Sequence, residues 1–293
     1  MTANLPMSVP AIALDPLLKA WLQEDLGRGD WTTSGLGALA HRPGQAVWVA
    51  KAPGMIAGLS MAARVFYLLD DSIGFKPELG EGDACAAGTT VATLQGSLSA
   101  LLMGERVALN LAMRLSGIAT ATRQYVEQLA DFPAQLVDTR KTTPGLRRLE
   151  KYASRVGGAI NHRLGLDDAV MIKDNHIAVA GGIQAAVAQI RQAMPYPLTM
   201  EVETASLDDV EAALASEVDI IMLDNMALKT MKIAVQRIRQ ANPRIKIEAS
   251  GNVTLETLRP IAATGVDFIS SSAPITRAPW LDLSMRMVES TES

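Results

Sequence analysis

The stretch LTMEVETASLDDVEAALASEVDIIMLD (198–224) reads as a strand, a helix and a second strand. Its apolar runs, LTMEVE and VDIIMLD, have the length of buried strands. Between them Ser206 is placed to start a helix, and Asp208 and Asp209 fall in its first turn, where carboxylates favour the helix dipole. Working outward, the same texture recurs in QLVDT (135–139) and AVMIK (169–173) on one side and in IKIEA (245–249) and VDFIS (266–270) on the other. Helix signals separate these runs. Thr143 with Pro144 starts one helix and Gly157 can stop it, while Thr254 caps another that Gly265 ends. Repeated βα units of this kind give parallel strands that helices must cover, as an open doubly wound sheet or as a barrel.

The strand ends separate those two folds. Nearly every run finishes in chemically capable residues: Asp138, Arg140 and Lys141; Lys173 and Asp174; Glu201 and Glu203; Asp224 and Asn225; Glu248 and Ser250; Ser270, Ser271 and Ser272. An open sheet needs such residues only at its switch point. A barrel gathers all its carboxyl ends around one mouth, so the pattern predicts a (β/α) barrel.

The first part of the chain has a different texture. Asp15 with Pro16 suggests a helix start, Leu17, Leu18, Trp21 and Leu22 share one face, and Gly27 ends it. AVWVAKAPGMIAG (46–58) and ELGEGDACAAGTTVATLQG (78–96) read as short antiparallel strands broken by turns. LLDDSIG (68–74) reads as a helix end and turn, and residues 99–130 carry a helical period. The reading is an N-terminal α+β domain over 1–115 and a catalytic α/β barrel over 116–293, with the last residues able to pack back on the first domain.

Composition limits the function classes. The 293 residues are 48% apolar and 20% charged, as in ordinary globular enzymes. No run is long and apolar enough for a membrane span, and the N-terminus lacks a basic region before an apolar one. The single cysteine, Cys85, fits a reducing, cytoplasmic setting. A net charge of −4 argues against nucleic acid as a partner.

The densest chemistry lies in DTRKTTPGLRRLEKYASRVGGAINHRLGLDDAVMIKDNH (138–176). Arg140, Lys141, Arg163 and Lys173, with His162, fall in loops or at strand ends. Arg forks onto carboxylate or phosphate and Lys acts as a point charge, so the set predicts a small polyanionic substrate. Arg147, Arg148 and Lys151 read instead as a solvated helix face.

This segment resembles the signature of the quinolinate phosphoribosyltransferase family. LLKAWLQEDLGRGDWTT (17–33), ERVALNLAMRLSGIAT (105–120), EVE (201–203), IIMLDNM (220–226), EASGNVT (248–254) and TGVDFISSSAP (264–274) match it in the same order. The resemblance implies transfer of phosphoribose from 5-phosphoribosyl pyrophosphate to quinolinate with decarboxylation, and a need for Mg²⁺ but no organic cofactor. It implies an incomplete barrel, an N-terminal sandwich domain, and a homodimer or larger homo-oligomer in which one subunit caps the barrel of the next. Arg106, Thr139, Arg140, Lys141, His162, Arg163 and Lys173 are implied to hold carboxylates and phosphates, and Lys141 and Lys173 to be catalytic. Glu203 and Asp224 are implied to be catalytic and to serve the ribose and the metal, through waters or substrate. Ser250, Gly251 and Asn252, with Ser271, Ser272 and Ala273, match two phosphate-binding loops. Many family members carry a GALTH-like loop where this chain has SSAPITRAP (271–279), so the usual histidine is absent and Thr276 and Arg277 stand in its neighbourhood. Asn252 replaces a common second glycine.

Overall fold

The computed structural model describes residues 9–288. Two compact units emerge. The first takes in the described residues up to Arg123, the segment Arg148–Gly157, and those from Arg277 onward; the second is Gln124–Arg147 with Gly158–Thr276. The strands, in chain order, are β1 (Pro43–Ala50), β2 (Gly54–Met55), β3 (Gly74–Pro77), β4 (Ala84–Cys85), β5 (Thr90–Ser97), β6 (Gln135–Val137), β7 (Val170–Ile172), β8 (Met200–Thr204), β9 (Ile220–Asp224), β10 (Lys246–Ser250), β11 (Phe268–Ser270) and β12 (Leu283–Val288). The helices are α1 (Ala11–Leu26), α2 (Trp31–Gly35), α3 (Leu59–Leu69), α4 (Leu98–Gln128), α5 (Arg147–Val156), α6 (Asp174–Ala180), α7 (Ile183–Ala193), α8 (Leu207–Leu214), α9 (Leu228–Ala241), α10 (Leu255–Ala262) and α11 (Ala273–Thr276).

In the first unit, an antiparallel sheet of order β12-β1-β5-β3 is joined by the short pair β2-β4. Its core is aromatic where the chain can supply it: Trp48 meets Phe75 edge-on at 5.6 Å and Phe66 at 6.3 Å. α4 passes close to the returning C-terminal segment at Gly117. A Cβ there would come within 2.0 Å of the Pro279 carbonyl oxygen, so only glycine fits.

Two helix starts differ from the sequence reading. α1 begins at Ala11, leaving Pro16 inside it, and Asp15 is not its cap. Asp15 instead pairs with Arg64 at 2.7 Å, an ion pair that outcompetes capping for the same carboxylate. α5 begins only at Arg147, because Thr143 to Leu146 form a turn closed by the Leu146 N–H on the Thr143 carbonyl. Nor is Lys151 on a solvated face: it is buried, as is Glu150, which Arg114 meets at 2.7 Å. Arg147 donates to the Thr142 hydroxyl and the Leu164 carbonyl. Two starts read from 206 and 254 hold, since Ser206 caps α8 with its oxygen on the Asp209 N–H, and Thr254 is the N-cap of α10.

The second unit is built on a parallel sheet of order β6-β11-β10-β9-β8-β7, and Ile160 bridges parallel to Val137 beyond β6. Residues paired across a parallel sheet share a face, and alternate residues change face. One face is therefore Leu136, Ile172, Val202, Ile221, Leu223, Ile247, Ala249 and Ile269, all buried in one core with residues of α7 to α10. Each such fully buried aliphatic side chain contributes about 1.5–3 kcal/mol. The other face carries Met171, Glu201, Glu203, Met222, Asp224, Glu248, Ser250 and Ser270.

The sheet is rolled, not open. His162 lies two residues beyond the bridge at Ile160, outside β6, while Glu201 is on β8. In a flat sheet five strand spacings would hold them about 24 Å apart. Their side chains meet at 3.0 Å, which requires the polar face to close on itself as the inside of a barrel. With six strands and an edge at β7, the barrel is incomplete.

Candidate active site

The carboxyl ends of β6 to β11 set the functional side chains. After β7, Lys173 is the N-cap of α6 and its Nζ lies 3.6 Å from Glu203 Oε2 on β8. His176, three residues on, accepts the Lys173 N–H at its Nδ1, which fixes the strand-to-helix turn. Burial first, and then the neighbouring charge of Asp224, raise the Glu203 carboxyl above its ordinary range, while Lys173 opposes both. Glu203 and Asp224 are thus two carboxylates crowded at the ends of adjacent strands, a pair of hard oxygen donors that could hold a cation. Lys173 is nearly half exposed and ion-paired, so it is not the desolvated amine that Schiff-base chemistry uses.

The loop after β10 is braced from β9. Asn225 takes the left-handed conformation, its N–H donates to the Ser250 carbonyl, and its Oδ1 accepts from Asn252 Nδ2 at 3.2 Å. A Cβ on Gly251 would meet Asn225 Oδ1 at 2.1 Å, and its φ of +99° also favours glycine. Asn252 itself sits at φ +48°, a conformation Asn tolerates, which explains how it stands where a glycine is common. After β11, Ser271 is buried and its N–H donates to the Val137 carbonyl. Its hydroxyl accepts the Ala273 N–H at 3.3 Å. Ser272 carries the first carbonyl of the short α11, accepting from Ile275 and Thr276.

Arg140, Lys141 and Arg163 come from the segments after β6 and after Ile160. Lys141 is exposed and its N–H donates to Thr139 Oγ1 at 3.1 Å. Arg163 Nη1 donates to the Ala169 carbonyl at 2.7 Å. Burial first, and then the charge of Arg140, lower the Arg163 pKa, so the two guanidinium groups feel one another. The Nε–H of each is buried and has no hydrogen-bond partner among the described residues. A buried donor without a partner costs about 1–3 kcal/mol, and an anion reaching either guanidinium would relieve that cost.

Deeper in the barrel lies a group in which the sequence reading picked out His162 as a substrate contact but noticed Glu201 and Glu248 only as polar strand ends. His162 Nε2 is 3.0 Å from Glu201 Oε2 and 3.7 Å from Glu248 Oε2. The clue in the sequence is spacing: Glu201 stands two residues before Glu203 and so shares its face. Arg106, by contrast, lies on α4 in the first unit, largely exposed and 3.8 Å from Glu105. Among the expected side chains, the structure brings Lys173, Glu203 and Asp224 together and lets Arg140 and Arg163 feel one another, whereas Arg106 belongs to the first unit.

Two family models cover the chain almost end to end: the quinolinate phosphoribosyl transferase N-terminal domain matches residues 30–116 and its C-terminal domain matches 118–286. The chain belongs to the quinolinate phosphoribosyltransferase family. It is 67% identical over 290 residues to a probable nicotinate-nucleotide pyrophosphorylase [carboxylating] of Synechocystis, covering 98% of both chains. It is 36% identical to the human nicotinate-nucleotide pyrophosphorylase [carboxylating], covering 97% of this chain and 95% of the human one. Among solved structures, NadC from Streptococcus pyogenes superposes with a TM-score of 0.91 at 42% identity, over 96% of this chain and 99% of that one. Human nicotinic acid phosphoribosyltransferase, at 14% identity and a TM-score of 0.61, shares the fold alone. The N-terminal model lies within the first unit, whereas the C-terminal model takes in the second unit together with the segment Arg148–Gly157 and residues from Arg277 onward that belong to the first. Among the described helices none is long and apolar enough to cross a membrane.

Proposed function

We propose that this protein transfers phosphoribose from 5-phosphoribosyl pyrophosphate to the ring nitrogen of quinolinate, releasing carbon dioxide and yielding nicotinate mononucleotide and pyrophosphate. The observation that carries this reading is the pair of buried, unpartnered Nε–H donors on Arg140 and Arg163. A pyridine dicarboxylate supplies two anionic groups for such donors, and a monocarboxylate supplies one, which favours quinolinate over nicotinate. Lys141 and Lys173 add point charges, and His162 lies within the same cationic segment.

In this reading the pyridine nitrogen displaces pyrophosphate at C1 of the ribose, forming the C1–N bond as the C1–O bond breaks. Glu203 and Asp224 face the ribose hydroxyls and the positive charge developing at C1. Loss of the carboxylate beside the ring nitrogen leaves its electron pair on the ring carbon, where the pyridinium charge stabilises it until a proton arrives. Positioning and electrostatics supply most of the rate. Thr139, the 250–252 loop and residues Ser271, Ser272 and Ala273 contact phosphates.

The crowded carboxylates of Glu203 and Asp224 fit Mg²⁺, which prefers hard oxygen ligands and retains waters. When bound with 5-phosphoribosyl pyrophosphate it would neutralise charge on the leaving pyrophosphate. The protein acts as a homodimer or larger homo-oligomer in which Arg106 of one subunit serves the site of its neighbour. The exposure of Arg106 and its place outside the second unit support this.

Incubation of the protein with quinolinate, 5-phosphoribosyl pyrophosphate and Mg²⁺ tests the reaction. Nicotinate mononucleotide and one carbon dioxide per turnover are expected. Turnover of nicotinate and none of quinolinate would reverse the substrate assignment.

A further inference from the structure

The expected role of His162 was to hold substrate, yet both of its ring nitrogens are engaged by the protein. Its Nδ1 accepts the N–H of Arg163 at 2.7 Å, so that nitrogen carries no proton. Nε2 then bears the ring proton and donates it to Glu201 Oε2 at 3.0 Å. The segment is pinned again by Asp138, whose Oδ1 accepts the His162 N–H at 2.8 Å and whose Oδ2 accepts from Asn161 Nδ2 at 2.6 Å. Arg163 follows directly; its buried Nε–H has no hydrogen-bond partner among the described residues, and it feels the charge of Arg140.

We propose that Glu201 and Glu248 are positioning residues: buried inside the barrel, they hold His162 as its Nε2–H tautomer, and His162 in turn fixes the backbone of Arg163 so that its guanidinium meets the dicarboxylate substrate. The inference deepens the quinolinate reading and rests on it for the last step. Glu201 and Glu248 are each only 3% exposed, and in each the second oxygen, Oε1, has no hydrogen-bond partner among the described residues. Two buried carboxylates serving one neutral imidazole are tolerable only if they share a proton. In keeping with that, burial first, and then the charge of Glu201, push the Glu248 carboxyl up to about 7.

The three groups could also enclose a metal ion, since their ligand atoms lie within 4.8 Å of one another. A metal would need the lone pair of Nε2, however, and the Arg163 N–H on Nδ1 places the proton there. The tautomer therefore separates the two arrangements.

Nitrogen-15 spectra of the histidine rings test the proposal on the unaltered protein, with the His162 signal assigned by its loss in His162→Gln. The Nε2–H tautomer at neutral pH is expected. An Nδ1–H tautomer, an imidazolium, or a stoichiometric metal lost on Glu201→Gln substitution would overturn it. Kinetics supply the second arm. Glu201→Leu should raise the quinolinate KM about tenfold while leaving kcat within about threefold and the 5-phosphoribosyl pyrophosphate KM unchanged. Glu201→Gln, which keeps an acceptor, should recover most of that loss. Equal increases in both KM values, or no change in either, would overturn the positioning role. If the unaltered protein makes no nicotinate mononucleotide, the reaction assignment fails, whereas the spectra still decide the tautomer.

Discussion

Lys173 Nζ lies 3.6 Å from Glu203 Oε2, so the ends of β7 and β8 meet in an ion pair at the barrel mouth. The lysine side chain is 46% exposed, and pairs of that kind contribute little to stability. Lys173→Ala should therefore lower the melting temperature by no more than a few degrees while reducing kcat/KM by about a hundredfold or more. A thermal melt and steady-state assay on the same sample check both halves. A large loss of stability with retained turnover would place the pair in the scaffold instead.

Arg163→Ala removes a half-buried cation whose Nε–H has no hydrogen-bond partner among the described residues. Calorimetric quinolinate binding should weaken by about 2–5 kcal/mol, the range for truncating a buried charged contact. Thermal stability should change little, because the guanidinium's hydrogen bond to the protein, from Nη1 to the Ala169 carbonyl, is made by a side chain that is only half-buried. Normal quinolinate affinity in the variant would remove Arg163 from the site.

Asp224→Asn keeps the shape of the side chain and removes one of two crowded charges. The variant should need several times more Mg²⁺ or 5-phosphoribosyl pyrophosphate for half-maximal turnover, about 1 kcal/mol in affinity, with quinolinate binding kept. Glu203 should ionise more easily once its neighbour is neutral, because the Asp224 charge is part of what raises it. An unchanged Mg²⁺ titration would end the metal–ribose role of Asp224.

Arg106→Ala and Lys173→Ala should each be nearly inactive alone. If sites are shared, a mixed dimer contains one site with both groups and one with neither. Exchange of tagged subunits should then restore activity toward half of one wild-type dimer's. Demonstrated exchange without recovery would confine each site to one subunit.

The raised Glu248 pKa carries a pH signature of its own. The carboxyl titrates at about 7 when folded, against an ordinary 4.5. Below pH 4.5 it is neutral in both states. As pH rises from 4.5 through 7 the folded protein binds more protons than the unfolded chain, so this group's contribution falls with rising pH. Glu248→Gln removes that dependence, and its melting temperature should gain on the wild type's as pH is raised from 5 to 8. A constant difference across that range would mean that Glu248 is not the group responsible.

The barrel was legible in the sequence because parallel strands under helices must be continuously apolar on one face, and the strand ends advertise themselves by breaking that rule. Ser206 and Thr254 were legible because capping is decided within four residues. Asp15 was misread for the opposite reason: a distant arginine claims its carboxylate. Lys151 looked solvated because amphipathicity cannot show that Arg114 and Glu150 form a charged pair in the same interior. Spacing could place Glu201 on the face of Glu203, but its contact with His162 and Glu248 was out of reach of that pattern, since it exists only when the sheet closes.

The antiparallel register that sets Gln45 of β1 against Val288 of β12 has a consequence for biosynthesis. On the ribosome β1 emerges early, and all of β6 to β11 is translated before its second neighbour arrives. Local βα units can form as they are made, but this edge must wait, and long-range pairings of that kind form slowly. Until then β1 offers unpaired backbone N–H and C=O groups to any other strand in the cell. Nascent chains interrupted before β12 should accordingly be the aggregation-prone ones.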